Sequence, residues 1–340
     1  MAPEHGSSTV PLDTLLEVSS RTFALSIPLL PEPVRRQTTV AYLLFRIADT
    51  FEDEPAWSTE EKLAGLEAVR DLLAASADHA PTTGPAMEAV RAMLSGAELS
   101  QSGYQELLEQ TEPVLGEFAA LEAEVRAMIA GHLGRTIEGM AGYLRRDRPA
   151  ATIDEVRLYC YHVAGIVGEL LTDLFVRHNP SLRGVAGELT ELSPRFGEAL
   201  QLVNILRDAN ADAADGRAYI PGPEERAELF VLADEDILMA RRYVEMLERH
   251  GADPGIVAFN TLNLALAGRT IDLVRRLGPG AKLSRPEVQD LFSRVAHAAE
   301  SGRPLTPILS ETTEDSATPA DPAANGQTAA RTNGEARGER

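Results

Sequence analysis

The chain has 340 residues, 44% of them apolar, a formal charge of −20 at pH 7 and a single cysteine, Cys160. That length holds one large domain or two small ones. The acidic balance argues against a nucleic-acid partner and against strong electrostatic docking on anionic lipid, and one cysteine leaves no internal disulfide and no cysteine-based metal cluster.

The opening MAPEHGSSTVPLD lacks the basic and apolar regions of a signal peptide, so residues 1–10 read as a flexible N-terminus. Pro28, Pro31 and Pro33 separate a short first helix from VRRQTTVAYLLFRIADTFED, where Val40, Leu43, Leu44, Ile47 and Phe51 recur at helical spacing. HAPTTGP, 79–85, reads as a loop, and RRDRPA precedes a helix beginning near Ile153. In VRLYCYHVAGIVGELLTDLF the apolar stripe is Val156, Tyr159, Val163, Ile166, Leu170 and Leu174. A further apolar helix, LQLVNILRDANAD, spans 200–212. PGPEE follows a segment ending at Ile220, and LGPGAKLSRPE joins the last two helices. Alternating β-branched runs with hairpin signals are absent. The pattern predicts an all-α domain over 11–308.

From Glu311 onward there is no Leu, Ile, Val or aromatic residue, so 309–340 read as a disordered polar tail. No apolar run approaches the ~18 residues that a membrane span needs. The expectation is a soluble, cytoplasmic monomer, with transient contact at a membrane surface left open.

Two helices end in acid. The first carries Asp49, Glu52 and Asp53, and the second Asp208 and Asp212. Four residues along a helix turn through about 400°, so the aspartates of each D-x-x-x-D pair lie about 40° apart on one face. Asn204 extends the second stripe one turn back, and Arg46 precedes Asp49 near the same face. Like charges at this spacing destabilise a helix unless a cation neutralises them. Clustered carboxylates suit Mg²⁺, which takes oxygen ligands and bridges carboxylates to substrate phosphates. Two such helices facing each other would hold a diphosphate at the mouth of an apolar cavity. An isolated D-x-x-x-D on an acidic protein is more often a solvated face; two copies ending two apolar helices are not.

Four ordered blocks extend this pattern: SRTFALSIPLLP (20–31), YLLFRIADTFED (42–53), YCYHVAGIVGELLTDLF (159–175) and LQLVNILRDANADAADGRAYIP (200–221). Through them the chain, over about 15–305, resembles the squalene/phytoene synthase family of head-to-head prenyltransferases. The resemblance implies an all-α isoprenoid synthase fold with a central cavity, Mg²⁺ at the two aspartate motifs, and a prenyl diphosphate substrate, farnesyl diphosphate used twice. It makes Asp49, Glu52, Asp53, Asn204, Asp208 and Asp212 the candidate metal ligands. Ser20, Arg21, Arg46, Arg207 and Arg217 become candidates for the diphosphate. Phe23 and Tyr159 take positions that line the family's cavity, where aromatic faces stabilise a cation, and Tyr159 could also carry a proton. The second motif departs from the family pattern, with Ala211 where a glutamate is common; Asp215 is a possible substitute.

Ala164, Gly165 and Gly168 would let hydrocarbon tails approach a helix backbone, or serve close helix packing. His162 reads as a core histidine. The expected activity is head-to-head condensation through presqualene diphosphate to squalene, with NADPH as hydride donor. Phytoene, dehydrosqualene and hydroxysqualene synthesis, which need no hydride, are the alternatives. A non-catalytic isoprenoid binder and an acidic helical scaffold are alternatives of other classes, the latter leaving the paired motifs unexplained.

Overall fold

A computed structural model describes residues 11–20, 22–77, 84–95, 99, 102–146, 152–214, 219–220 and 222–310. Among them every regular element is helical. In chain order the helices are α1 (Leu12–Ser19), α2 (Phe23–Ser26), α3 (Val34–Asp53), α4 (Thr59–Ala77), α5 (Pro85–Leu94), α6 (Ser102–Glu109) and α7 (Thr111–Ala119). They continue with α8 (Ala123–Leu144), α9 (Ile153–Cys160), α10 (Ile166–His178), α11 (Ala186–Ala214), α12 (Pro223–Arg249), α13 (Pro254–Leu277) and α14 (Arg285–Glu300). The all-α reading holds, the helix start near Ile153 falls where expected, and α12 begins within PGPEE, at Pro223. The tail beyond Ser310 and most of the 79–85 loop lie outside the described residues.

Local chemistry fixes the ends. The Thr152 side chain accepts from the Glu155 N–H to start α9, and Ser284 and Glu287 form a reciprocal capping box on α14. Between α9 and α10 the chain makes one π turn, Tyr161–Gly165. Such a turn carries an extra residue and leaves backbone groups off the regular ladder. The buried Thr136 hydroxyl of α8 donates to the His162 carbonyl there at 2.8 Å.

Three apolar clusters build the interior. One joins α3 to α4–α8 around Leu43, Phe51, Phe118 and Ile129. A second joins α12–α14 to the N-terminal turns around Phe259, Leu262 and Tyr243. The third packs Val156 and Tyr159 against Leu202, Leu206 and Leu229. Long α11 is drawn tightly onto the α9–α10 segment. A Cβ on Gly197 would lie 2.0 Å from the Ala164 carbonyl oxygen, and one on Gly168 2.2 Å from that of Ser193. Only glycine allows that approach. No helix of the described residues is long and apolar enough to cross a membrane.

Candidate active site

Where the clusters meet, a cavity of about 220 Å³ runs between α3, α10, α11 and α13. Its walls are Phe23, Ala41, Phe45, Val167, Leu171, Phe196 and Phe259, with Ala164 and Gly168 exposing backbone. The small residues therefore do both of the things open to them: Gly168 packs helix on helix and also lines the cavity. At one end the lining turns polar. Arg46 and Asp49 come from α3, Gln201 and Asn204 from α11.

The polar end follows from helix geometry. Along α3, Thr38, Tyr42, Arg46 and Asp49 fall three or four residues apart on the cavity side. The opposite face of α3, with Leu43, Leu44, Ile47 and Phe51, is fully buried. Along α11 the stripe Gly197, Leu200, Gln201 and Asn204 lines the cavity, and Asp208 and Asp212 continue it by one turn and two. The two acidic motifs thus end the two helices that flank one mouth.

Burial of Asp49 raises its pKa to about 6; Arg46 opposes this and Asp53 adds to it. Arg46 sits 3.5 Å from the Asp49 carboxylate. It is also bonded to the Tyr104 hydroxyl, its guanidinium 4.7 Å from that ring centre. Arg207 is paired with the adjacent Asp208, and its carbonyl accepts from the Gly280 N–H at 2.7 Å. Asp53 and Asp212 are half-buried, and Glu52 is buried. Among the described residues no three His, Cys, Asp or Glu side chains converge to hold a metal unaided. The donors present are nonetheless hard oxygens on two facing helices. That set fits Mg²⁺, which completes its shell from phosphate and water.

Ser20 accepts from the Phe23 N–H at 3.0 Å and so starts the turn that places Phe23 in the cavity wall. There Phe23 stands 5.3 Å from Tyr42 and 6.4 Å from Phe259, ring centre to ring centre. Tyr159 lies elsewhere than expected. The cavity is lined from Val163 onward, whereas Tyr159 borders a second, open cleft with Tyr143, Arg135, Arg146, Leu158, Tyr161 and His162. Tyr159 still stands near the acid, because burial and then Glu52 raise its pKa well above the ordinary tyrosine value. His162 is half-buried in that cleft rather than in the core, its ring against Gly139. Arg21, Arg217 and Asp215 lie outside the described residues.

The model of squalene/phytoene synthases matches residues 16–253. The chain belongs to the squalene/phytoene synthase family. The squalene synthase of Gibberella zeae is 32% identical over 215 residues, 61% of this chain and 42% of that protein. The chain spans about half the length of the curated relatives it matches. In fold it is similar to a ligand complex of TcSQS, with TM-score 0.67 at 23% identity over 90% of this chain and 92% of that one. It is also similar to a dehydrosqualene synthase in complex with ligand, with TM-score 0.59 at 18% identity over 85% and 95%.

Three residues of this family member escaped the sequence reading. Tyr42 lines the cavity seven residues before Asp49 on one helical stripe, a spacing that could have found it. Tyr143 and Tyr219 flank Tyr159, with ring centres 4.6 and 5.0 Å away. They come from distant segments, and no local pattern unites them.

Proposed function

We propose that the protein joins two farnesyl diphosphates head to head through presqualene diphosphate, and that with NADPH it carries the product to squalene. The observation that carries this reading is an apolar cavity whose polar lining comes from both acidic helices, through Asp49 and Asn204. Family membership, matching 16–253, supports it.

Asp49, Asp53, Asp208 and Asp212, with Glu52 and Asn204 beside them, are the proposed Mg²⁺ ligands. When bound, the metal supplies Lewis acidity to the leaving diphosphate. The chain's own residues do the rest. Arg46 and Arg207, each now paired with a motif aspartate, can turn to the released diphosphate and offer forked hydrogen bonds; Ser20, Arg21 and Arg217 are proposed to join them. Phe23, Phe45, Phe196 and Phe259 shield the cation from water and present ring faces to it. Tyr159, near Glu52 and Asp53, is proposed to carry the proton lost as the cyclopropane closes.

The test is incubation with farnesyl or geranylgeranyl diphosphate and Mg²⁺, with and without NADPH, followed by identification of the hydrocarbon. Squalene formed with one NADPH consumed per molecule is expected. Phytoene, dehydrosqualene or hydroxysqualene made equally well without NADPH would remove the hydride step and keep the rest. Absence of Mg²⁺-dependent diphosphate release would refute the reading and favour a non-catalytic binder.

A further inference from the structure

Tyr219 stands between α11 and α12 in the chain. Its ring is 8% exposed and stacks on Tyr159 at 5.0 Å, with 25° between the planes. The two hydroxyl oxygens are 3.2 Å apart. Tyr143 completes the stack, 4.6 Å from Tyr159 and 6.0 Å from Tyr219.

The charges of Asp53 and Glu52 act on both phenols, and with burial they hold both well above the ordinary tyrosine value. Both are therefore neutral at working pH. A neutral phenol has one hydrogen and two lone pairs, so its proton chemistry depends on which way the hydrogen points. Alone, the Tyr159 hydroxyl could turn its hydrogen toward the substrate or toward the nearby carboxylates. With a hydroxyl 3.2 Å away in a buried stack, the two oxygens share one hydrogen, and whichever of them donates it, Tyr159 keeps an oxygen lone pair for another partner.

We propose that Tyr219 is a positioning residue for this reaction, its hydroxyl fixing that of Tyr159 across 3.2 Å so that, as Tyr159 takes up the substrate's proton, its own hydrogen passes to Tyr219 and the Tyr219 hydrogen passes on to the released diphosphate. The inference rests on the functional reading above, in which Tyr159 carries a proton. It extends that reading to a residue from the connection after the second acidic motif, and so ties that connection to the proton step as well as to the diphosphate.

The test is a double-mutant cycle on the full chain with farnesyl diphosphate and Mg²⁺, reading diphosphate release and presqualene diphosphate. Tyr219→Phe keeps the ring stack and removes only the hydroxyl, so the melting temperature should stay near wild type. It should lower kcat about tenfold, a fraction of what general acid–base catalysis contributes, and leave KM and the Mg²⁺ requirement unchanged. Tyr159→Phe should lower kcat further, and the double variant should be no slower than Tyr159→Phe alone, because the second hydroxyl then has nothing to fix. Losses that multiply in the double variant, or an unchanged kcat in Tyr219→Phe, would overturn the inference while leaving the functional reading intact. A normal rate in Tyr159→Phe would overturn it too. Wild-type protein that releases no diphosphate would overturn the functional reading, and this inference with it.

Discussion

Replacing Glu198 by glutamine should make the protein more stable at neutral pH. Glu198 of α11 is 4% exposed and Asp236 of α12 is 1% exposed. Both reach the same Arg195 nitrogen, at 3.4 and 2.9 Å, while the Arg157 guanidinium stands 3.5 Å from Glu198. Arg195 and Arg157 are about one-third exposed, so part of their charge is spent on water. Burial, and then repulsion from Asp236, raise the Glu198 pKa from 4.5 to about 7. A carboxyl whose pKa rises on folding binds its proton better when folded, so stability falls as pH climbs from about 4.5 to about 7. At 1.36 kcal/mol per unit the penalty above pH 7 is about 3 kcal/mol. Glutamine removes the charge, and its amide can donate to Asp236. Glu198→Gln should therefore raise the melting temperature by about 5 °C at pH 8, taking about 2 °C per kcal/mol for a chain of this size. At pH 5, where Glu198 already holds its proton, the difference should vanish. Thermal melts of both proteins from pH 5 to 8 decide it. Equal melting temperatures at pH 8, or a gain of the same size at pH 5, would refute the argument.

Asp53→Asn and Asp208→Asn should each leave helical content unchanged and cut diphosphate release by orders of magnitude, since a ligand is weakened where leaving-group charge develops; near-normal turnover in both would remove the metal assignment. Gly197→Ala should force α11 away from the Ala164 carbonyl, now 2.0 Å from where the methyl would sit; overpacking costs about 1–3 kcal/mol, so a melting temperature equal to wild type would show that the two helices separate freely. Thr136→Val should cost about 1 kcal/mol by leaving the partly buried His162 carbonyl without this donor, with denaturant unfolding as the measurement.

The helical class and the acidic stripes were readable because each rests on spacing within one helix, whereas Phe23 was reached only through the family resemblance. The 3.6-residue period puts Asp49 and Asn204 each on its stripe, and both line one cavity. What escaped was whatever depended on distant segments meeting. The cleft that Tyr159 borders is built with Arg135, Tyr143 and Arg146, and nothing in YCYHVAG announces those neighbours. The tyrosine stack needed segments ending near 143, 159 and 219 to meet, and helical spacing carries no information about that. Glu198 and Asp236 are likewise unremarkable acids in their own helices, and become costly only once α11 and α12 pack together.

The π turn at Tyr161–Gly165 makes one run of chain serve two compartments. Tyr159, Tyr161 and His162 border the open cleft, while Val163, Ala164 and Val167 line the apolar cavity. Seven α-helical steps make nearly two full turns; a wide turn takes up one residue more for about the same rotation, so the eighth step from Tyr159 still brings Val167 back under it. The extra residue is absorbed as girth, against Gly139 of α8 on one side and Gly197 of α11 on the other. Filling either glycine, or changing the number of residues in the segment, would disturb both spaces at once.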